Sequence, residues 1–172
     1  MTGIRKLAFA WGLGMALAAQ AGAVEIIAGP YMNFPTETSI YIRWETSEPA
    51  TSETGVGVAA ANLEWTTSSE SATYHEVKIE NLSPGSFYFY QVRSKGADGA
   101  QTQSETYTFQ TAVSGDTPFS FAVFGDTQAN PEVVAKLADL AYAQRPNFTL
   151  LAGDFVTDGE DRNHWLEHYF PN

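Results

Sequence analysis

The sequence is 172 residues long, 44% hydrophobic and 17% charged, with no cysteine and a formal net charge of −11. That length holds one ordinary domain or two small ones, and the composition is that of a folded chain. The acid excess excludes the basic face that nucleic-acid binding needs, and the missing cysteines exclude a disulfide scaffold, a thiolate metal site and a cysteine nucleophile.

Residues 1–23 read as a signal peptide. Arg5 and Lys6 make a short basic start, Leu7 to Ala19 is an apolar run, and Ala21-Gly22-Ala23 offers small residues where a signal peptidase cuts. The run is shorter than the roughly 20 residues of a membrane span, so cleavage after Ala23 leaves no membrane segment. A cysteine-free exported chain fits a periplasmic or secreted location. Losing Arg5 and Lys6 takes the formal charge from −11 to −13, since all the acidic residues lie beyond Ala23.

Residues 24–113 read as strands without a helix. Ile40, Ile42 and Trp44 alternate onto one face, as do Tyr88, Tyr90 and Val92. Thr54–Val58, Tyr74–Ile79 and Glu105–Thr111 complete the set, and Gly, Pro, Ser and Asn clusters separate the runs at the spacing of a two-sheet β-sandwich of about seven short strands. Leu82-Ser83-Pro84-Gly85 leads into Tyr88. Leu82 is expected to plug one end of the core while the Tyr88 hydroxyl hydrogen-bonds backward, in a tyrosine corner. This segment, with Trp44 on an early strand, resembles fibronectin type III domains. The opening Ala28-Gly29-Pro30-Tyr31-Met32 resembles the start of the N-terminal sandwich of purple-acid-phosphatase-type enzymes. His75, with no second histidine nearby, reads as a structural or surface residue.

From residue 114 the pattern changes. Phe119–Phe124 is a nearly continuous apolar run, as in a strand buried on both faces. Asn130-Pro131 is a cap with proline at the first helical position, and Val133, Val134, Leu137, Leu140 and Ala141 recur at helical spacing up to Arg145-Pro146. Phe148–Ala152 is a second buried strand, which makes one parallel β-α-β unit. Glu160–Tyr169 reads as a second helix with Trp165 and Leu166 inward.

Asp126 and Asp154 each follow a glycine at the carboxyl end of a strand. In parallel neighbours both carboxylates emerge at the same sheet edge, where open α/β sheets hold ligands. Paired carboxylates repel, and a divalent cation removes the conflict. The alternative is that both are helix caps or turn formers.

Phe124-Gly125-Asp126-Thr127-Gln128 and Gly153-Asp154-Phe155-Val156-Thr157-Asp158-Gly159 resemble the first two motifs of calcineurin-like metallophosphoesterases. The resemblance implies a fibronectin-type-III-like β-sandwich at 24–113 followed by an incomplete α/β metallophosphoesterase domain at 114–172. It implies Asp126 as a terminal ligand and Asp154 as the bridge of a two-metal site (Fe, Mn or Zn) that directs hydroxide at a phosphate mono- or diester. Gln128 stands where many members have histidine, and Thr157 stands where purple enzymes have tyrosine, so a colourless centre with Gln128 as a weaker ligand is expected. The family's later motifs, which complete both metal shells, do not occur before Asn172. The chain therefore reads as an N-terminal fragment, inactive alone, with an apolar sheet left partly uncovered. The competing reading is a non-catalytic sandwich for adhesion or glycan binding with a degenerate remnant. His164 and His168, four apart, share a helix face, but no third ligand stands at a matching spacing, so they read as a solvated face beside Trp165. Substrate, metal identity and oligomeric state are not legible.

Overall fold

A computed structural model of the chain describes residues 23–128 and 130–170. The signal-peptide reading therefore lies, but for Ala23, outside the described residues. No helix among them is long and apolar enough to cross a membrane.

Six antiparallel strands build a β-sandwich: β1 (Ile26–Asn33), β2 (Ile40–Ala59), β3 (Asn62–Ile79), β4 (Phe87–Lys95), β5 (Gln101–Gln103) and β6 (Tyr107–Gln110). The expected short runs Ile40–Trp44 and Thr54–Val58 are one strand, β2. Its first half pairs with β1 and its second half with β4, while β3 follows it along both. The register slips between Glu45 and Ala50 and again before Ser52. β2 and β3 thus bend from one layer of the sandwich into the other, as bulged strands do. The sandwich has six strands because these runs merge, and Pro49, which has no amide hydrogen to give, is accommodated on the bend, where the β2–β3 register is interrupted.

The core lies between the layers. Ile40, Ile42 and Trp44 from the first half of β2 meet Leu82, Tyr90, Val92 and Phe109 from the other side. Trp44 is fully buried and gives its indole hydrogen to Ser94 Oγ at 2.8 Å, which ties the two layers together. The tyrosine corner forms: the Tyr88 hydroxyl accepts from the Ser83 amide at 2.9 Å, and Leu82 closes that end of the core. Gly85, at φ 62°, makes the turn that Pro84 sets up.

The second part is a β-α-β unit. Strands β7 (Phe121–Phe124) and β8 (Phe148–Leu151) are parallel, in register from Phe121 opposite Phe148 to Phe124 opposite Leu151. Helix α1 (Pro131–Ala143) starts as its sequence predicts, with Asn130 Oδ1 accepting from the Val133 amide. The helix expected over Glu160–Tyr169 begins later, at α2 (Arg162–His164) capped by Asp161, and loosens into a π-helical turn over Trp165–Tyr169. Trp165 packs against Phe155 and Tyr169.

The unit seats on both layers. Arg162 pairs with Glu45 and Phe170 stacks on Tyr31, both in the first layer. Tyr142 bonds Thr108 at 3.1 Å and Asn147 bonds Gln110 at 3.0 Å, both in the second. A cleft of about 570 Å³, lined among others by Ile40, Phe109, Phe124, Ala141 and Leu151, remains between the two parts.

Candidate metal centre

The expected sheet edge is built by two turns that lock onto each other. After β7 the Asp126 amide donates to Gly153 O at 3.0 Å. The next two amides, Thr127 and Gln128, both donate to Asp154 O, at 2.8 and 2.9 Å. Just inside the edge, Ala152 N donates to Phe124 O at 2.9 Å. Asp126 and Asp154 are therefore held on adjacent turns at the same end of the two strands.

Each aspartate adopts a left-handed backbone, at φ 57° for Asp126 and 52° for Asp154. Aspartate tolerates this region better than most residues, yet left-handed non-glycine residues cluster at functional sites. The glycines do different work from each other. Gly153 takes φ 109° and makes part of the turn. Gly125 has no such angle; a Cβ there would stand 3.1 Å from Ala152 Cβ and 3.3 Å from Gly153 O. Its job is to let the two strand ends approach, and the sharp turn belongs to Asp126 itself.

Both carboxylates are exposed, and neither forms an ion pair among the described residues. The third predicted residue, Gln128, differs. Its Oε1 is shut off from solvent and has no hydrogen-bond partner among the described residues. A buried carbonyl oxygen left this way costs about 1–3 kcal/mol. Two carboxylates and one unpartnered amide oxygen are hard oxygen donors, the chemistry a divalent cation takes. No group of three or more His, Cys, Asp or Glu suited to a metal occurs among the described residues. The two locked turns carry these oxygen donors and no imidazole.

Sequence reasoning missed Thr127. It is 5% exposed, and its hydroxyl lies 3.3 Å from both Asp154 O and Phe155 O, so it fastens one turn to the other. A small hydroxyl residue directly after Gly-Asp was the only signal. His164 is committed elsewhere: its Nδ1 accepts from the Asp158 amide at 3.1 Å, and its ring stacks on His168. Asp158 Oδ1 is likewise taken, by the Glu160 amide at 2.9 Å. Neither aspartate lines the cleft under α1.

Residues 29–111 match the family "Purple acid Phosphatase, N-terminal domain". No curated protein matches the sequence. Among solved structures, PhoD is similar at a TM-score of 0.58 and 14% identity, over 77% of this chain and 27% of that one. The chain thus spans about a quarter of the PhoD chain. The sensor domain of the anti-sigma factor RsgI4 of Pseudobacteroides cellulosolvens is similar at 0.41 and 19% identity, over 55% of this chain and 100% of that one. The sixth fibronectin type III domain of human fibronectin type III domain containing protein 3 is similar at 0.44 and 18% identity, over 60% of this chain and 98% of that one.

Proposed function

We propose, for a chain whose residues 29–111 match the purple acid phosphatase N-terminal domain, that it belongs to an exported, metal-dependent phosphoesterase. In this reading the sandwich is the platform and residues 114–172 are the first part of an α/β phosphoesterase domain. The observation that carries it is the lock between the two Gly-Asp turns, which holds the Asp126 and Asp154 backbones on adjacent turns; Gln128, two residues after Asp126, has a buried Oε1 without a partner among the described residues. The two Gly-Asp motifs and the PhoD-like fold across both parts of the chain support the same reading.

Asp126, Asp154 and Gln128 would hold the metal from this side. The ions, Fe, Mn or Zn, would supply Lewis acidity toward a phosphate mono- or diester. The chain's own contribution is positioning. Thr127 and the paired turns fix the two aspartate backbones, so little has to be ordered when a cation arrives. The substrate is a phosphate ester, and the location is the periplasm or the medium outside the cell.

Calorimetric titration of the chain with Mn²⁺, Zn²⁺ and Fe²⁺ tests the reading. Specific binding should fall at least tenfold in Asp154→Asn. Because asparagine also tolerates a left-handed backbone, the metal-free melting temperature should stay within a few degrees of the parent's. Equal binding by the two proteins would sink the assignment.

A further inference from the structure

β2 leaves the first layer at Thr46 and has joined the second by Ser52. Opposite this corner stands His75 of β3, the register partner of Trp44. It is 1% exposed, and its ring stacks on the Trp44 indole at 4.8 Å with the planes 11° apart. Nε2 lies 2.8 Å from Thr46 Oγ1 and Nδ1 lies 2.8 Å from Ser52 Oγ. One imidazole therefore holds both ends of the corner.

The proton positions follow from the hydroxyl count. Thr46 has a single hydroxyl hydrogen, which it gives to Glu48 O at 2.8 Å. Toward His75 the Thr46 oxygen must accept, so Nε2 carries the ring hydrogen. Nδ1 then keeps its lone pair and accepts from Ser52. A second ring proton would have to sit at Nδ1, facing the Ser52 oxygen, and Ser52 would have to turn its own hydrogen away. The neutral ring uses the Ser52 hydrogen, whereas the protonated ring displaces it and adds a charge in a buried place.

We propose that His75 is an acid-weakened clasp: neutral, it joins the two layers at the β2 corner; protonated, it loses the hydrogen bond that Ser52 gives it and buries a charge there, which opens the corner. Burial, with no charged partner, pulls its pKa down from 6.5 to about 4. The acidic side chains along the adjoining strands are Glu45, Glu48 and Glu53 of β2 and Glu64, Glu70 and Glu76 of β3, and none of them bonds the ring. Glu45 is engaged by Arg162, Glu53 by Arg93 of β4 and Glu76 by Arg43. The sign follows from linkage. An opened chain takes up the proton near pH 6.5, whereas the closed corner refuses it down to about 4. Closure is therefore at full strength above pH 6.5 and weakens as the pH falls, about tenfold per unit. That comes to about 300-fold across the window. The first layer also carries Glu45 and Tyr31, which seat Arg162 and Phe170. Release of the corner loosens that seat as well.

Hydrogen exchange of the whole chain between pH 7 and 4, corrected for intrinsic rates, tests the clasp. Amides 46–48 and 50–52 should lose protection on acidification before those of β4 and β6 do. His75→Gln, which can give one hydrogen to Thr46 and accept one from Ser52 but does not titrate, should remove that early loss. An NMR titration of the parent should find the His75 ring neutral down to at least pH 5. A His75 pKa near 6.5 in the folded chain overturns the proposal, and so does corner exchange that tracks β4 at every pH. If His75→Gln does not fold, the parent's titration and exchange pattern decide the matter alone.

Discussion

At Gly125 the demand is for space between two strand ends. The nearest atoms to a methyl group there would be Ala152 Cβ at 3.1 Å and Gly153 O at 3.3 Å, both on residues of a segment whose backbone is already bonded to β7 and the turn after it. Gly125→Ala should therefore push the turns apart and break the Asp126–Gly153 and Thr127–Asp154 bonds. Overpacking of this kind costs about 1–3 kcal/mol. Urea unfolding followed at the β-α-β unit should show the loss, and metal affinity should fall with it. A fully stable Gly125→Ala would show that the lock is looser than its distances. That Asp126 and Asp154 share one end of the β7–β8 pair was legible, because each follows a glycine at the end of a strand and the strands were expected to be parallel. The left-handed backbones, the buried Gln128 Oε1 and the role of Thr127 were not legible, because each depends on how one turn meets the other. His75 was read as a structural or surface residue, and it is buried. What its sequence position could not reveal is that Thr46 and Ser52, far away along the chain, take its two nitrogens.

Among elements, α1 was the easiest to read, because its signals are local. Asn130 caps it, Pro131 fits the first turn, and the apolar spacing marks the helix length. Asn130→Ala should cost about 1 kcal/mol, since the Val133 amide loses its side-chain acceptor. Faster exchange in the first turn of α1, with the sandwich unchanged, is the expected reading. Leu140→Gln should cost less than about 0.5 kcal/mol, because Leu140 is 65% exposed and buries little. The strands were harder. Periodicity marked Ile40–Trp44 and Thr54–Val58 correctly as extended, but it carried no information that the chain between them stays extended through Pro49. That continuity is decided by β3, which follows β2 around the corner, and by the His75 contacts that hold it. The tyrosine corner was legible because all its parts lie within a few residues of one another.

For the whole molecule, an apolar ladder is set against a strong charge. Phe121, Val123, Phe148 and Leu150 face out from one side of the β7–β8 pair, and Phe119 adds to them. Phe121 and Phe148 stack at 5.3 Å with planes 3° apart, which leaves their outer surface flat and open to water. A flat exposed aromatic ladder favours self-association. A formal charge of −11 on 172 residues opposes it, because two copies repel as they approach. Repulsion of this kind is screened by salt: the Debye length falls from about 30 Å at 0.01 M to about 3 Å at 1 M. Apolar contact is not screened, and kosmotropic salts strengthen it. The chain should therefore be monomeric at low ionic strength and associate as sodium sulfate is added, with sedimentation velocity as the readout. Phe121→Lys breaks the ladder at its centre and should abolish the association, even though it lowers the net negative charge. Charge alone would predict the opposite, more association for Phe121→Lys, so the single substitution separates the two forces.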